Sequence, residues 1–298
     1  MNKKLIAIAV AGVMSAPLAA NAANVSGFTA VDWTLANDNP VCTNGSGNEV
    51  CETQFHVDQT EVDFEANGVR VDINDDGAGI EVEQAKFTTA LGSTGWDLHA
   101  GLMNSGLSAD HQDRNMMAFD TNSLVFENYS AADLVNVAGI AVTGMAGPAN
   151  VMLAVVNDPT VDPATTDATN AIVLAVSGTV TDGLNAGLSV VSADADDLTD
   201  VTIDYTMDAF TVGLDYFTSD ATDTYSVTAG YDLGNGMDIK LRIDNDETAG
   251  TSSVTTDTTT VAFGYHLSDA TSLRLENYAR DNGTTDYTVT SLSFVSNF

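Results

Sequence analysis

The chain has 298 residues, of which 42 are acidic and 9 basic, giving a formal net charge of −33 at pH 7. A field of that sign and size repels phosphate at long range and excludes nucleic acid as a partner. Disorder is excluded as well, because 44% of the residues are hydrophobic and they alternate with polar ones along the chain, a pattern that acidic disordered tails lack.

The first segment reads as an address label. Asn2, Lys3 and Lys4 form a short basic start, Leu5 to Leu18 an apolar run, and Ala20-Asn21-Ala22 a small-x-small cleavage site, the three parts of a secretory signal. Residues 1–22 are therefore expected to be removed, leaving 23–298 as one domain. The run is too short to span a bilayer and contains Gly12 and Pro17, and later apolar stretches such as Val151 to Val156 and Ala171 to Val176 are shorter still. A membrane-resident form of this chain must then cross as a closed barrel. Removing residues 1–22 leaves seven basic residues against 42 acidic ones. Two causes fit that acidity: a lumen and mouth that favour cations, or a surface adapted to salty surroundings.

Beyond residue 23, segments of about ten residues alternate apolar and polar positions. The spacing predicts strands at 24–35, 55–66, 68–74, 80–91, 95–103, 137–145, 149–157, 169–180, 184–192, 199–207, 209–218, 223–232, 236–246, 256–267, 270–280 and 286–298. Between the first two, Cys42 and Cys51 sit in an Asn/Gly/Ser-rich stretch. In an exported chain they predict one disulfide across a loop; a metal site is the weaker alternative, since no His lies beside them. Asp72, Asn74 and Asp76, with Glu83 at position twelve, match the spacing of an EF-hand calcium loop. Such a loop belongs between helices, and here both flanks alternate as strands, so a polar hairpin turn is the better reading.

After the fifth segment comes the longest connection, Asn104 to Val135, and loops of that length are functional or disordered. From there on, tight turns and longer loops take turns, as they do earlier: Ala66-Asn67-Gly68, Met207-Asp208 and Ser268-Asp269 are among the tight ones. Phe64, Trp96, Tyr205, Phe210, Tyr231 and Tyr265 fall beside the tight turns, and Trp33, Phe55, Tyr216 and Tyr225 near the longer loops, as two interfacial aromatic girdles would require. The last segment carries Leu292, Phe294 and the terminal Phe298 on one face, an ending that the outer-membrane assembly machinery reads in its substrates. Sixteen such segments predict an all-β fold, a transmembrane antiparallel up-and-down β-barrel with a water-filled lumen.

In this layout the chain resembles the sixteen-stranded Gram-negative general porins, whose third extracellular loop follows the fifth strand and folds into the lumen. The stretch from Glu83 to Asn157 is also similar to β-barrel porin families related to substrate-selective porins. The Pro-Glu-Phe-Gly-Gly stretch of many porin third loops is absent; Met116, Met117, Ala118, Phe119 and Asp120 occupy that region. The resemblance implies a homotrimer, contacts with outer-membrane lipid and lipopolysaccharide, and an acidic loop facing a basic wall across the constriction. The loop candidates are Asp110, Asp113, Asp120 and Glu127 with Arg114 as counter-charge; the wall candidates, on the inward parity of their strands, are Arg70, Lys86, Lys240, Arg242 and Arg274. Scarce arginine argues against an anion channel, so the expected solutes are small hydrophilic molecules and cations. No catalytic constellation, phosphate loop or dinucleotide fingerprint occurs, and neither an enzyme nor a cofactor is expected. The competing readings are a secreted or surface acidic β-protein, such as a calcium-stabilised adhesin or S-layer component, and a non-conducting barrel adhesin.

Overall fold

The computed structural model describes residues 24–37, 54–75, 79–104, 117–119, 121–131, 135–158, 169–194, 196–248 and 254–298. Among them run β1 (Asn24–Asn37), β2 (Gln54–Ala66), β3 (Val69–Asp75), β4 (Ile80–Ala90), β5 (Trp96–Asn104), the helix α1 (Leu124–Ala131), β6 (Asn136–Ala146), β7 (Ala149–Asn157) and β8 (Asn170–Thr181). There follow β9 (Leu184–Ser192), β10 (Asp197–Met207), β11 (Phe210–Thr218), β12 (Thr222–Gly234), β13 (Met237–Thr248), β14 (Val254–His266), β15 (Thr271–Asp281) and β16 (Asp286–Asn297). Each strand pairs with its neighbours in sequence, and β1 pairs antiparallel with β16, so the sheet closes into one up-and-down barrel. The period-two pattern places every strand end within two residues of its observed position.

Alternation fixes which face each side chain takes, because successive Cβ atoms point to opposite sides of a strand. On β13 the outward Ile239 and Ile243 are 43% and 45% exposed, whereas the inward Arg242 and Asp244 are 1% and 0% exposed. The neighbouring strands repeat this inversion: Val227, Val261 and Phe263 stand outside, and Ser226, Thr258, Thr260 and Glu276 are buried inside. An apolar exterior around a polar interior is the reverse of a soluble core and matches a barrel surrounded by lipid. The outward aromatic residues include Tyr205, Phe210, Tyr231 and Tyr265 beside the tight turns and Tyr216 and Tyr225 nearer the opposite rim, all exposed. Phe210 and Tyr231 meet edge to face with ring centroids 5.6 Å apart.

The tight turns follow from local chemistry. Asn67-Gly68 and Asn235-Gly236 have φ of 52° and 77°, and 55° and 76°, the doubly positive conformation that two-residue hairpins need and that Asn-Gly tolerates best. The seam between first and last strands is closed by main-chain bonds from Phe298 N to Gly27 O at 3.0 Å and from Gly27 N to Phe298 O at 3.3 Å. The Phe298 ring lies over Gly27: a Cβ added there would stand 2.7 Å from the ring.

Between β5 and β6 the sequence pattern predicted only a long loop, and the structure adds α1. Ser123 caps it, its Oγ accepting from the Phe126 N–H at 3.1 Å, while the Glu127 N–H bonds to the Ser123 carbonyl at 3.0 Å. A Ser at this position satisfies one of the donors left free at a helix start. The expected signal peptide, Cys42, Cys51, Asp76, Asp110, Asp113, Arg114 and Asp120 lie outside the described residues.

Candidate functional site

The loop residues 117–119 and 121–131 dock against the inner face of the wall. Val125 and Tyr129, one helical turn apart on the same side of α1, belong to an apolar cluster with Met103, Val137, Ala154, Val173, Val191 and Phe217, which are inward residues of β5 to β11. Tyr129 and Phe217 have centroids 4.8 Å apart. Burial pushes the Tyr129 phenol far above its usual range, and the charges of Asp200 and Asp215 push the same way, so it stays protonated and donates to Asp200.

Across the barrel, the contacts are polar. Arg242 on β13 donates from Nη1 to the Thr121 carbonyl at 2.8 Å and from Nη2 to the Asn122 carbonyl at 2.8 Å, while its Nε holds Asp244 at 2.9 Å. The guanidinium also lies 4.7 Å from the centroid of Phe119. On β15, Arg274 donates to the Met117 carbonyl at 2.8 Å, and Glu276 accepts from the Thr121 N–H at 3.0 Å and its hydroxyl at 2.6 Å. Lys240 reaches the Ala118 carbonyl at 3.4 Å. Asn128 bonds Thr224 at 2.6 Å and Asp246 at 3.0 Å, and Arg280 forks onto Glu127 at 2.7 and 3.2 Å.

Three of the predicted wall cations, Lys240, Arg242 and Arg274, are thus brought to one loop, but the groups described there are main-chain carbonyls, the Thr121 hydroxyl and the Phe119 ring rather than loop carboxylates. The described loop acid, Glu127, pairs instead with Arg280, which sequence reasoning missed. Its signal was available: Arg280 has the same parity on β15 as Arg274. The two remaining wall cations lie on separate strands. Arg70 on β3 grips both oxygens of Asp72 at 2.7 and 2.8 Å and reaches Asp63 at 3.4 Å; Lys86 on β4 bonds Gln84 at 3.3 Å.

Of the residues with calcium-loop spacing, Asp72 and Asn74 lie within β3 and Glu83 within β4, so two paired strands replace the helix-flanked loop. Asn74 donates to Glu83 at 2.9 Å. Carboxylate oxygens of Glu61, Asp63 and Asp72 lie within 4.8 Å of one another, and the Arg70 guanidinium already supplies positive charge to that cluster.

A closed antiparallel barrel with an apolar exterior, a charged interior and a loop segment bound to the inner wall has the fold of a sixteen-stranded porin. Known structures agree. In-vitro folded OmpT, an outer membrane protein of Vibrio cholerae, superposes with a TM-score of 0.67 at 9% identity, covering 95% of this chain and 100% of that one. Its loop L8 deletion mutant gives 0.67 at 10%, covering 93% and 99%, and a mutant of the Rh. blastica porin gives 0.63 at 18%, covering 93% and 100%. At such identities the likeness is one of fold. No family model matches the sequence, nor does any curated protein.

Proposed function

We propose that the chain is an exported outer-membrane porin, a passive channel for small hydrophilic solutes and ions with a weak preference for cations. Residues 1–22 act as the cleaved signal, Cys42 and Cys51 close a surface loop, and Phe298 with Phe294 and Leu292 presents the last strand to the assembly machinery. The barrel sits among lipid and lipopolysaccharide, assembles as a homotrimer and carries out no catalysis.

One observation carries the cation preference. Lys240, Arg242, Arg274 and Arg280 are four of the seven basic residues beyond position 22, and each is occupied in holding the loop. The acidic excess is left to face the passage, and charges that line a constriction set its selectivity. The apolar exterior disfavours a secreted, soluble β-protein, since a band of that kind would be exposed to water. Close packing of inward Thr258, Thr260 and Glu276 near the loop's level implies a narrow passage and a small unit conductance.

The test is a planar bilayer. Purified protein should give discrete conductance steps and, under a salt gradient, a reversal potential of cationic sign. Anion preference would overturn the selectivity, and absence of steps from inserted protein would favour the barrel adhesin.

A further inference from the structure

We infer that the inner wall where β2 meets β3 carries a calcium site, formed by the carboxylates of Glu61, Asp63 and Asp72 with the side-chain carbonyl of Asn74. The inference goes beyond the pore reading: the site lies on the wall, and its role is to tie two strands together.

The register gathers the donors. β2 and β3 run antiparallel with Glu61 opposite Asn74 and Asp63 opposite Asp72, and alternation turns all four side chains to the same inward face. One carboxylate oxygen from each of Glu61, Asp63 and Asp72 lies within 4.8 Å of the other two. Oxygens sharing one Ca²⁺ at about 2.3–2.6 Å stand at most about 5 Å apart, so the three fit around a single ion. Glu61 and Asp72 are 2% and 0% exposed, and charges so buried are screened far less than those at the surface.

Asn74, 3% exposed, supplies an independent observation. Its Nδ2 donates to Glu83 Oε1 at 2.9 Å, and since only the amino end of an amide can donate to a carboxylate, the orientation of the side chain is fixed. Glu83 lies on β4, on the far side of β3 from β2. The two ends of a planar amide diverge, so Oδ1 is turned back toward Glu61. There it accepts no hydrogen bond among the described residues. A buried carbonyl oxygen needs a partner, and beside carboxylates that partner is a donor or a cation. Side-chain carbonyls together with carboxylates are the oxygen set that calcium takes.

Arg70 does not exhaust the cluster. Its Nε meets both oxygens of Asp72 at 2.7 and 2.8 Å, and its Nη2 meets Asp63 at 3.4 Å, but each carboxylate oxygen has a second lone pair to offer. Three carboxylates against one guanidinium leave two negative charges, the complement of a divalent ion. With Arg70 on one flank, the site suits the irregular shell of calcium and not the near-octahedral one that magnesium demands. The donors share Asp72 and Asn74 with the calcium-loop spacing of the sequence, yet the others come from β2, so the site is borne on strands. β3 has seven residues, the fewest of the described strands; an ion bridging it to β2 reinforces the barrel where main-chain pairing is shortest.

Equilibrium dialysis of Ca²⁺ against the detergent-folded barrel tests the site. Roughly 0.3 M KCl screens off ions drawn only by the general acidic field, and heat-modifiable migration confirms that each variant is folded. Wild type should hold one more Ca²⁺ than Glu61→Gln or Asn74→Ala at matched concentration, with affinity about tenfold or more weaker in each variant, because ligand number and charge set calcium affinity. Asp63→Asn replaces Asn74→Ala should that variant not fold. Asp97→Asn, which removes an exposed carboxylate on β5, should bind as wild type does. Calcium should also raise the temperature of the heat-induced change in migration for wild type, and not for Glu61→Gln.

Absence of stoichiometric calcium on wild type, unchanged affinity in the cluster variants, or an equal loss in Asp97→Asn overturns the site. No part of this measurement involves conduction. A barrel that binds calcium without conductance steps would refute the pore and keep the site, and one that conducts without binding calcium would do the reverse.

Discussion

Arg242 concentrates the loop's attachment in one side chain. Burying a guanidinium costs several kcal/mol unless its donors are all met, and here Asp244, two carbonyls and the Phe119 face meet them. Arg242→Met removes a partner of a fully buried carboxylate, and the expected loss is up to about 3–5 kcal/mol. It should appear as a lower temperature for the heat-induced change in gel migration, accompanied by a larger single-channel conductance as the loop comes free. Arg242→Lys keeps the charge but cannot fork between two carbonyls, and should fall between wild type and Arg242→Met. The inward parity of Arg242 was legible in the sequence; its partners were not, because main-chain carbonyls distant in sequence leave no mark in residue type. Phe298 acts differently. Its deletion should lower the amount of protein reaching the outer membrane more than it alters conductance in the molecules that insert, as measured by membrane fractionation beside bilayer recording. Normal membrane levels of the deletion would count against an assembly role.

At the scale of elements, the strands were readable and the helix was not. A strand pressed between lipid and a polar interior must alternate, and that repeat survives in β13 as Ile239, Leu241, Ile243 against Lys240, Arg242, Asp244. The helix α1 has eight residues, too few to be stable alone in water, and its order comes from Val125 and Tyr129 packing on a wall assembled from distant strands. Only Ser123 hinted at it, as a cap before an apolar run. Ser123→Ala should therefore cost about 1 kcal/mol through loss of the cap, read from the same thermal transition. Glu127→Gln should cost less. Its carboxylate side chain is 42% exposed against Arg280, and exposed ion pairs contribute about 0.2–1 kcal/mol. A double-mutant cycle between Glu127 and Arg280 would measure that coupling directly, and a value above that range would mean the pair is better shielded than its exposure indicates.

For the whole molecule, net charge was legible from composition, but which charges border the passage depended on where the loop binds. Arg70, Lys240, Arg242 and Arg274 look alike in a list of inward cations; the structure pairs the first with Asp72 and Asp63 and engages the other three with the loop. The proposed preference for cations would be a field effect, and fields are screened over about 30 Å at 0.01 M salt but only about 3 Å at 1 M. The reversal potential at a fixed concentration ratio should therefore shrink toward zero as total salt rises. A preference that persists at 1 M would have to come from direct contact with ions. Closure of the barrel has a further consequence, this time for biogenesis. The first strand finds its second partner only once β16 has been made, since Phe28 to Asn37 pair with Asn297 to Thr288. Until then, one edge of β1 is unsatisfied, an open template for other chains, and the entropy of joining such distant segments opposes spontaneous closure. The pairing that gives the finished barrel no edges thus leaves its precursor with an edge to protect until the last strand is in place.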